Sequence, residues 1–254
     1  MAATPTDAGP PRGSSGSELV VVVTGGAEPG PAERAVSVPD RAVVVAADSG
    51  VARAQELGLV ISAVVGDLDS VSDAQLDAVR AAGGTVERHP RAKDETDLEL
   101  ALNAALTHAP ARLLVLGGHG GRVDHFLANL LALAGPALAD TAVEARMGTA
   151  TVTVVRPGRT VQVQGEIGDL VSLLPVHGAA VGVHTNGLVF ALAGETLAAG
   201  STRGVSNELA VEAATVSLGA GVLVVVQPGP VAEHVPTRPS ARSAISPTTR
   251  GATR

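Results

Sequence analysis

Four aspartates in two short motifs carry the strongest chemical signal in this chain: Gly66-Asp67-Leu68-Asp69-Ser70 and Lys93-Asp94-Glu95-Thr96-Asp97. Both motifs sit where an apolar run gives way to a helix start. Carboxylates crowded at such points repel one another, and a hard divalent cation with oxygen ligands relieves the repulsion. Lys93 is the single lysine of the chain, and no Gly-Lys-Ser/Thr phosphate loop occurs. Phosphate chemistry here must therefore run on metal ions, arginines and backbone amides, with Lys93, Ser70 and Thr96 close to the acids.

A second rich segment is Gly117-Gly118-His119-Gly120-Gly121-Arg122-Val123-Asp124-His125. Glycines ahead of a helix expose N–H groups that hold phosphate oxygens. Arg122, His125 and Asn129 recur at helical spacing and form one polar stripe. Gly25-Gly26 fits either a plain turn or a phosphate cradle. Asp48, in Asp48-Ser49-Gly50, fits either a helix N-cap or a ligand-facing carboxylate. The segment Arg203-Gly204-Val205-Ser206-Asn207-Glu208, taken alone, reads as a polar loop between strands.

These residues need a scaffold, and the apolar pattern supplies one. From Leu19 to about Arg146, β-rich runs (Leu19–Val23, Ala42–Ala47, Ala63–Val65, Thr85–His89, Arg112–Leu116, Ala142–Arg146) alternate with helical periods. Continuous apolar runs suit strands buried on both faces of a parallel sheet. Ser72 with Gln75 and Thr96 with Glu99 fit capping boxes at two helix starts. Val123, Phe126, Leu127, Leu130 and Leu131 form an apolar stripe on a further helix. The pattern predicts a Rossmann-like, doubly wound α/β domain over residues 18–156, with its polar clusters beyond the carboxyl ends of five successive strands. Gly25-Gly26 follow the first run, Asp48 the second, Asp67 and Asp69 the third, Asp94 and Asp97 the fourth, and Gly117–Arg122 the fifth. Beyond Ala150 the helical periods vanish, and short runs broken by Gly, Pro and Asn predict an all-β sandwich over residues 157–227. Residues 1–17 and 228–254 lack hydrophobic periodicity and read as disordered tails.

Composition narrows the function. The net charge of the 254-residue chain is −7, with Arg238, Arg242, Arg250 and Arg254 concentrated in the last stretch, so the folded body is more acidic still. That argues against nonspecific nucleic-acid binding. Cysteine is absent, which excludes disulfides and thiolate metal sites. The N-terminal stretch lacks the basic-then-apolar pattern of a signal peptide, and no apolar run is long enough for a bilayer. A cytoplasmic protein with no membrane partner is expected.

Together, Ala47-Asp48-Ser49-Gly50, Gly66–Ser70, Lys93–Glu99, Gly120–His125 and Arg203–Glu208 resemble, in order and spacing, the signatures of the thiamine pyrophosphokinase (thiamine diphosphokinase) family. The resemblance covers about Leu19 to Val226. It implies transfer of the β,γ-diphosphoryl group of ATP to the hydroxyl of thiamine, giving thiamine diphosphate and AMP, with Mg²⁺ required, in a homodimer. It implies Asp67, Asp69, Asp94 and Asp97 as metal-holding and catalytic acids, with Asp97 a plausible base. Arg122, Asp124 and His125 would contact the nucleotide, with Asp48 nearby. Ser206 and Asn207 would reach thiamine, across the dimer interface. The chain departs from the family pattern at Ser49, usually glycine, and at Leu68, often aromatic. Phe190 is the only aromatic residue of the β half able to stack on thiamine. Two other readings compete: a diphosphokinase for another alcohol, such as a pterin carbinol, and a non-catalytic nucleotide- or thiamine-sensing module.

Overall fold

The computed structural model describes residues 17–92 and 94–230. Lys93 and most of both tails lie outside the described residues. The first half alternates strand and helix: β1 (Leu19–Thr24), α1 (Pro31–Arg34), β2 (Val43–Ala47), α2 (Gly50–Glu56), β3 (Ala63–Gly66), α3 (Asp73–Ala81), β4 (Thr85–Arg88), α4 (Asp97–Leu106), β5 (Arg112–Leu116), α5 (Val123–Leu133) and β6 (Ala142–Met147). These six strands are parallel and lie in the order β4-β3-β2-β1-β5-β6. The chain steps outward from β1 to β4 and then returns to the other side of β1 with β5. The order therefore reverses between β1 and β5, where open α/β sheets bind their ligands.

Alternate residues of β1 explain why its sequence is an unbroken valine run. Val20 and Val22 join a core with α4 residues Leu98, Ala101, Leu102 and Ala105. Val21 and Val23 face the opposite core, against Val51 and Ala54 of α2 and Leu76 and Val79 of α3. Helices thus cover both faces. Their starts are fixed by side chains: Ser72 and Gln75 form the reciprocal capping box of α3, and Thr96 Oγ1 accepts the Glu99 N–H at the start of α4.

The second half comprises β7 (Ala150–Val155), β8 (Thr160–Gln164), β9 (Leu170–Asn186), β10 (Ala193–Leu197), β11 (Asn207–Glu208), β12 (Ala213–Ser217) and β13 (Ala220–Gln227). The all-β half has a core of its own and is joined to the parallel half. The β6–β7 hairpin carries the parallel sheet into an antiparallel continuation, β6-β7-β13-β9-β12-β8, so one sheet path runs through both halves. Strands β7 and β13 form a shared wall. Val152, Val154 and Val224 face the α4 side, while Val155, Leu223 and Val225 face a second core with Val171, Leu173, Val183, Leu197 and Val216. The architecture is a mixed α/β sheet with a parallel half and an antiparallel half. The run Leu170–Leu174 is the start of a 17-residue strand, and Leu188–Leu192 is a bend with one bridge, Leu188 to Leu209. Among the described residues, no helix is long and apolar enough to cross a membrane.

Candidate active site

Parallel register brings the acids together. Ala46 pairs with Val64 and Ala47 with Val65, and the Asp48 N–H donates to the Val65 carbonyl at 2.9 Å, so the ends of β2 and β3 leave the sheet side by side. As a result Asp48, Asp67 and Asp69 each place a carboxylate oxygen within 4.8 Å of the others. Asp48 is only 8% exposed, and its Oδ1 is buried without a hydrogen-bond partner. An orphaned buried carboxylate oxygen is costly, and one beside two further carboxylates suits a Mg²⁺ ion, which takes oxygen ligands. Asp48 (φ 41°) and Leu68 (φ 61°) both adopt the left-handed conformation, which folds the two acidic turns toward each other. Gly66 is needed between them. A Cβ there would lie 3.0 Å from Asp97 Oδ1 and 3.1 Å from Asp48 Cβ, which also places Asp97 beside the cluster.

By resemblance, Asp67, Asp69, Asp94 and Asp97 form the metal-holding group and Asp48 belongs near the nucleotide. The structure instead joins Asp48 to Asp67 and Asp69. Asp97 lines the same cavity, whereas Asp94 is exposed and does not line it. Ser70 acts on the acids, its Oγ donating to Asp69 Oδ1 at 3.0 Å. Two arginines unsignalled by any motif complete the turn. Arg91, 77% exposed along its side chain, pairs with Asp69 and lies 3.7 Å from Asp67 Oδ2, while Arg88 donates to the Asp67 carbonyl at 3.1 Å.

Across a cavity of about 480 Å³ stand the glycine loops. Gly25, Gly26, Gly118, Gly120, Gly121, Arg122, His125 and Asn129 line one side, and Asp48, Asp67, Thr96 and Asp97 the other. The polar stripe of α5 thus faces the cavity. Asn129 is committed to the scaffold, its Nδ2 donating to the Gly118 carbonyl at 3.0 Å. Arg122 makes a two-pronged contact with Asp124, Nε to Oδ1 at 3.1 Å and Nη2 to Oδ2 at 2.6 Å. That guanidinium holds the Asp124 carboxyl at about 2, below the usual carboxylate range, with help from the His125 N–H, while Asp124 raises the pKa of Arg122. Asp124 therefore orients Arg122 from outside the cavity. The Ser49 hydroxyl occupies the space a Cβ on Gly25 would need. A somewhat larger groove lies over β5, β6 and β8, but it is lined by Arg112, Glu144, Arg146 and glutamines and has no acidic cluster.

Residues 37–144 match the family model described as thiamin pyrophosphokinase, catalytic domain, and residues 159–223 match the model described as thiamin pyrophosphokinase, vitamin B1 binding domain. The chain belongs to the thiamin pyrophosphokinase family. Thiamine pyrophosphokinase of Bacillus subtilis (strain 168) is 26% identical over 183 residues, which is 72% of this chain and 86% of the relative. The crystal structure of thiamine pyrophosphokinase from Bacillus subtilis superposes with a TM-score of 0.72 at 24% identity, covering 84% of this chain and all of that one, a likeness of fold. That of Geobacillus thermodenitrificans gives 0.68 at 28% identity, covering 82% of this chain and 96% of its own.

In the part matching the vitamin B1 binding domain, Asn207 is buried and both ends of its amide are used. Its Oδ1 accepts the Phe190 N–H and its Nδ2 donates to the Phe190 carbonyl, at 2.9 and 2.8 Å. It braces the bend that presents Phe190, which is 65% exposed. Ser206, in the left-handed conformation, is exposed beside it. Ser206, Asn207 and Phe190 do not line the cavity that holds the acids within one chain. Of the apolar stripe of α5, Leu130 packs against the core, while Val123 is 80% and Leu127 55% exposed and Phe126 and Leu131 partly so.

Proposed function

We propose that this protein is an ATP-dependent thiamine diphosphokinase: the thiamine hydroxyl oxygen attacks the β-phosphorus of ATP, the bond from that phosphorus to the bridging oxygen of the α-phosphate breaks, and AMP leaves with that oxygen. The observation that carries this reading is the buried, unpartnered Oδ1 of Asp48 set beside Asp67 and Asp69, opposite glycine loops and Arg122 at the sheet's switch point. Transfer of this kind is chiefly positioning and neutralisation of charge. Asp48, Asp67 and Asp69, with Asp97 adjacent, would hold Mg²⁺, which when bound neutralises the polyphosphate and polarises the attacked phosphorus. Arg122, held in place by Asp124, draws the leaving phosphate. The N–H groups of the glycine loops donate to the remaining phosphate oxygens, and His125 borders them. Asp97, which lines the same cavity, would take the hydroxyl proton. Ser206 and Phe190 would contact thiamine from a second copy of the chain. Two features support the homodimer: these residues stand apart from the acids within one chain, and the apolar face of α5 beside Arg122 is left open.

The test is to incubate the purified protein with Mg²⁺, ATP and thiamine and to resolve nucleotides and thiamine esters by chromatography. Equimolar AMP and thiamine diphosphate are expected. ADP with thiamine monophosphate would refute the proposed bond, and consumption of a pterin carbinol but not thiamine would refute the acceptor.

A further inference from the structure

A second charged cluster lies behind the glycine loops and outside the cavity, and its acid and its arginine lie outside every motif that signalled the site. Glu33, on the one-turn helix α1, is 1% exposed and Arg53, on α2, is 5% exposed. Arg53 Nη1 donates to Glu33 Oε2 at 2.7 Å. The same Glu33 oxygen accepts the Gly30 N–H at 2.8 Å, while Oε1 accepts the Gly148 N–H at 3.3 Å and lies 3.3 Å from His119 Nδ1. Arg53 Nη2 donates to the Ala27 carbonyl. One carboxylate and one guanidinium therefore hold the loop after β1, the loop after β5 and the β6–β7 turn.

The first two are the loops that line the cavity, and backbone bonds tie them to each other. Gly118 N–H donates to the Gly25 carbonyl and Ala27 N–H to the His119 carbonyl, both at 2.8 Å. Gly26 packs so tightly on that His119 carbonyl that a Cβ would collide with it. A Cβ on Gly117 would lie 2.8 Å from Arg53 Nε. The guanidinium is thus part of the wall against which the β5 loop turns. A buried charge pair is a costly way to join two loops, since burial alone disfavours both ions; burial indeed lowers the pKa of Arg53, against the pull of Glu33. Joining them with two apolar side chains would fill the space but leave the Gly30 and Gly148 N–H groups and the Ala27 carbonyl without these partners.

We infer that Glu33, Arg53 and His119 are positioning residues for the nucleotide, a clamp that sets the separation of the two glycine loops and so the fit of their N–H groups to the polyphosphate. This rests on the ATP-dependent reading above. None of the three touches the substrate in this scheme; they act through Gly25, Gly26, Gly118 and Gly120. The clamp should govern nucleotide affinity and leave thiamine affinity alone, because none of its hydrogen-bond partners lies in the segments that carry Phe190 and Ser206.

The test compares the wild type with a Glu33→Met/Arg53→Met double variant, which strands no charge, and with His119→Ala, whose side chain is partly exposed. Dissociation constants for Mg²⁺ with α,β-methylene ATP, which lacks the cleavable bridge, are measured by calorimetry beside thermal melts and separate KM values for ATP and thiamine. The expected result is a nucleotide Kd and ATP KM weakened 10-fold or more in the double variant and 3-fold or more in His119→Ala, with the thiamine KM within 2-fold of wild type. Folded variants with nucleotide affinity within 2-fold of wild type would overturn the clamp, as would a thiamine KM that rises in parallel. Should the double variant not fold, Glu33→Gln, nearly isosteric, decides by the same criteria. Wild-type turnover is scored separately: absence of thiamine diphosphate would sink the proposed reaction, while the Kd series would still decide the clamp.

Discussion

Replacing Asp48 with asparagine should make the metal-free protein more stable and the enzyme nearly inactive. Three carboxylate oxygens lie within 4.8 Å of one another, and Coulomb's law at an effective dielectric constant of about 20 gives roughly 3.5 kcal/mol of repulsion for one such pair at that separation. The exposed Arg91 offsets part of this, but an exposed pair contributes only about 0–1 kcal/mol. Asp48 also carries a buried oxygen with no partner, which costs about 1–3 kcal/mol. An asparagine keeps the shape, removes the charge and brings a donor that the neighbouring carboxylates can accept. Allowing for relaxation, a gain of about 1–2 kcal/mol in chelator is expected, a Tm rise of roughly 2–8 °C for a domain of this size. Saturating Mg²⁺ with α,β-methylene ATP should reverse the order, since a ligand at 100 times its Kd stabilises the wild type by about 2.7 kcal/mol and the variant binds it poorly. Loss of a metal ligand should lower kcat/KM by about 10²-fold or more. Calorimetric melts with and without ligand, beside the AMP-release assay, test both halves. An Asp48→Asn protein less stable than wild type in chelator, or one that keeps the full ligand-dependent Tm rise, would refute the assignment of Asp48 to a cation site.

Arg91→Ala should weaken the apo cluster slightly and tighten Mn²⁺ binding by about 2–5-fold, because the competing cation contributes about 0–1 kcal/mol; electron paramagnetic resonance titration reads it, and weaker Mn²⁺ binding would count against the role. Asp124 should titrate near 2 by carboxyl NMR and return to the ordinary range, about 3.9, in Arg122→Ala. Because its folded pKa is depressed, its contribution to stability is present above about 3.9 and is lost as pH falls toward 2. Thr96→Ala removes the N-cap of α4 and should lower stability by about 1 kcal/mol without moving the KM for thiamine, as melts and kinetics would show. Leu127→Glu, on the exposed apolar face of α5, should shift the protein to monomer in sedimentation and raise the KM for thiamine; a monomeric wild type would refute the shared site.

The parallel half was legible because a strand buried on both faces leaves no choice of register: Leu19–Val23 and Ala42–Ala47 match β1 and β2 to within one residue. The antiparallel half was not. Pro175, Gly178 and Gly182 interrupt the apolar pattern of β9, yet the strand continues by changing partners, from β13 to β12 and β10, with a register shift in its pairing with β13 between Ala220 and Val222. The shared wall was illegible for a different reason. A valine run such as Val152–Val155 looks the same whether its two faces meet one core or two.

The site divides along the same line. Asp67, Asp69 and Asp97 could be found because their motifs repeat a charge where a strand ends. Asp48 could be found as a candidate, but its place among the metal-holding acids depends on the Ala47–Val65 pairing, which no spacing along the chain encodes. Glu33 and Arg53 gave no signal at all, since an acid in Pro-Ala-Glu-Arg and a basic residue in Val-Ala-Arg-Ala read as solvated helix charges. Only the return of the chain from β4 to β5 brings the loop after β5 against the loop after β1 and closes both over that pair. Groups that touch a ligand must be clustered by type and leave a motif, whereas groups that hold those groups need only be buried together, and burial of a charge is written in topology.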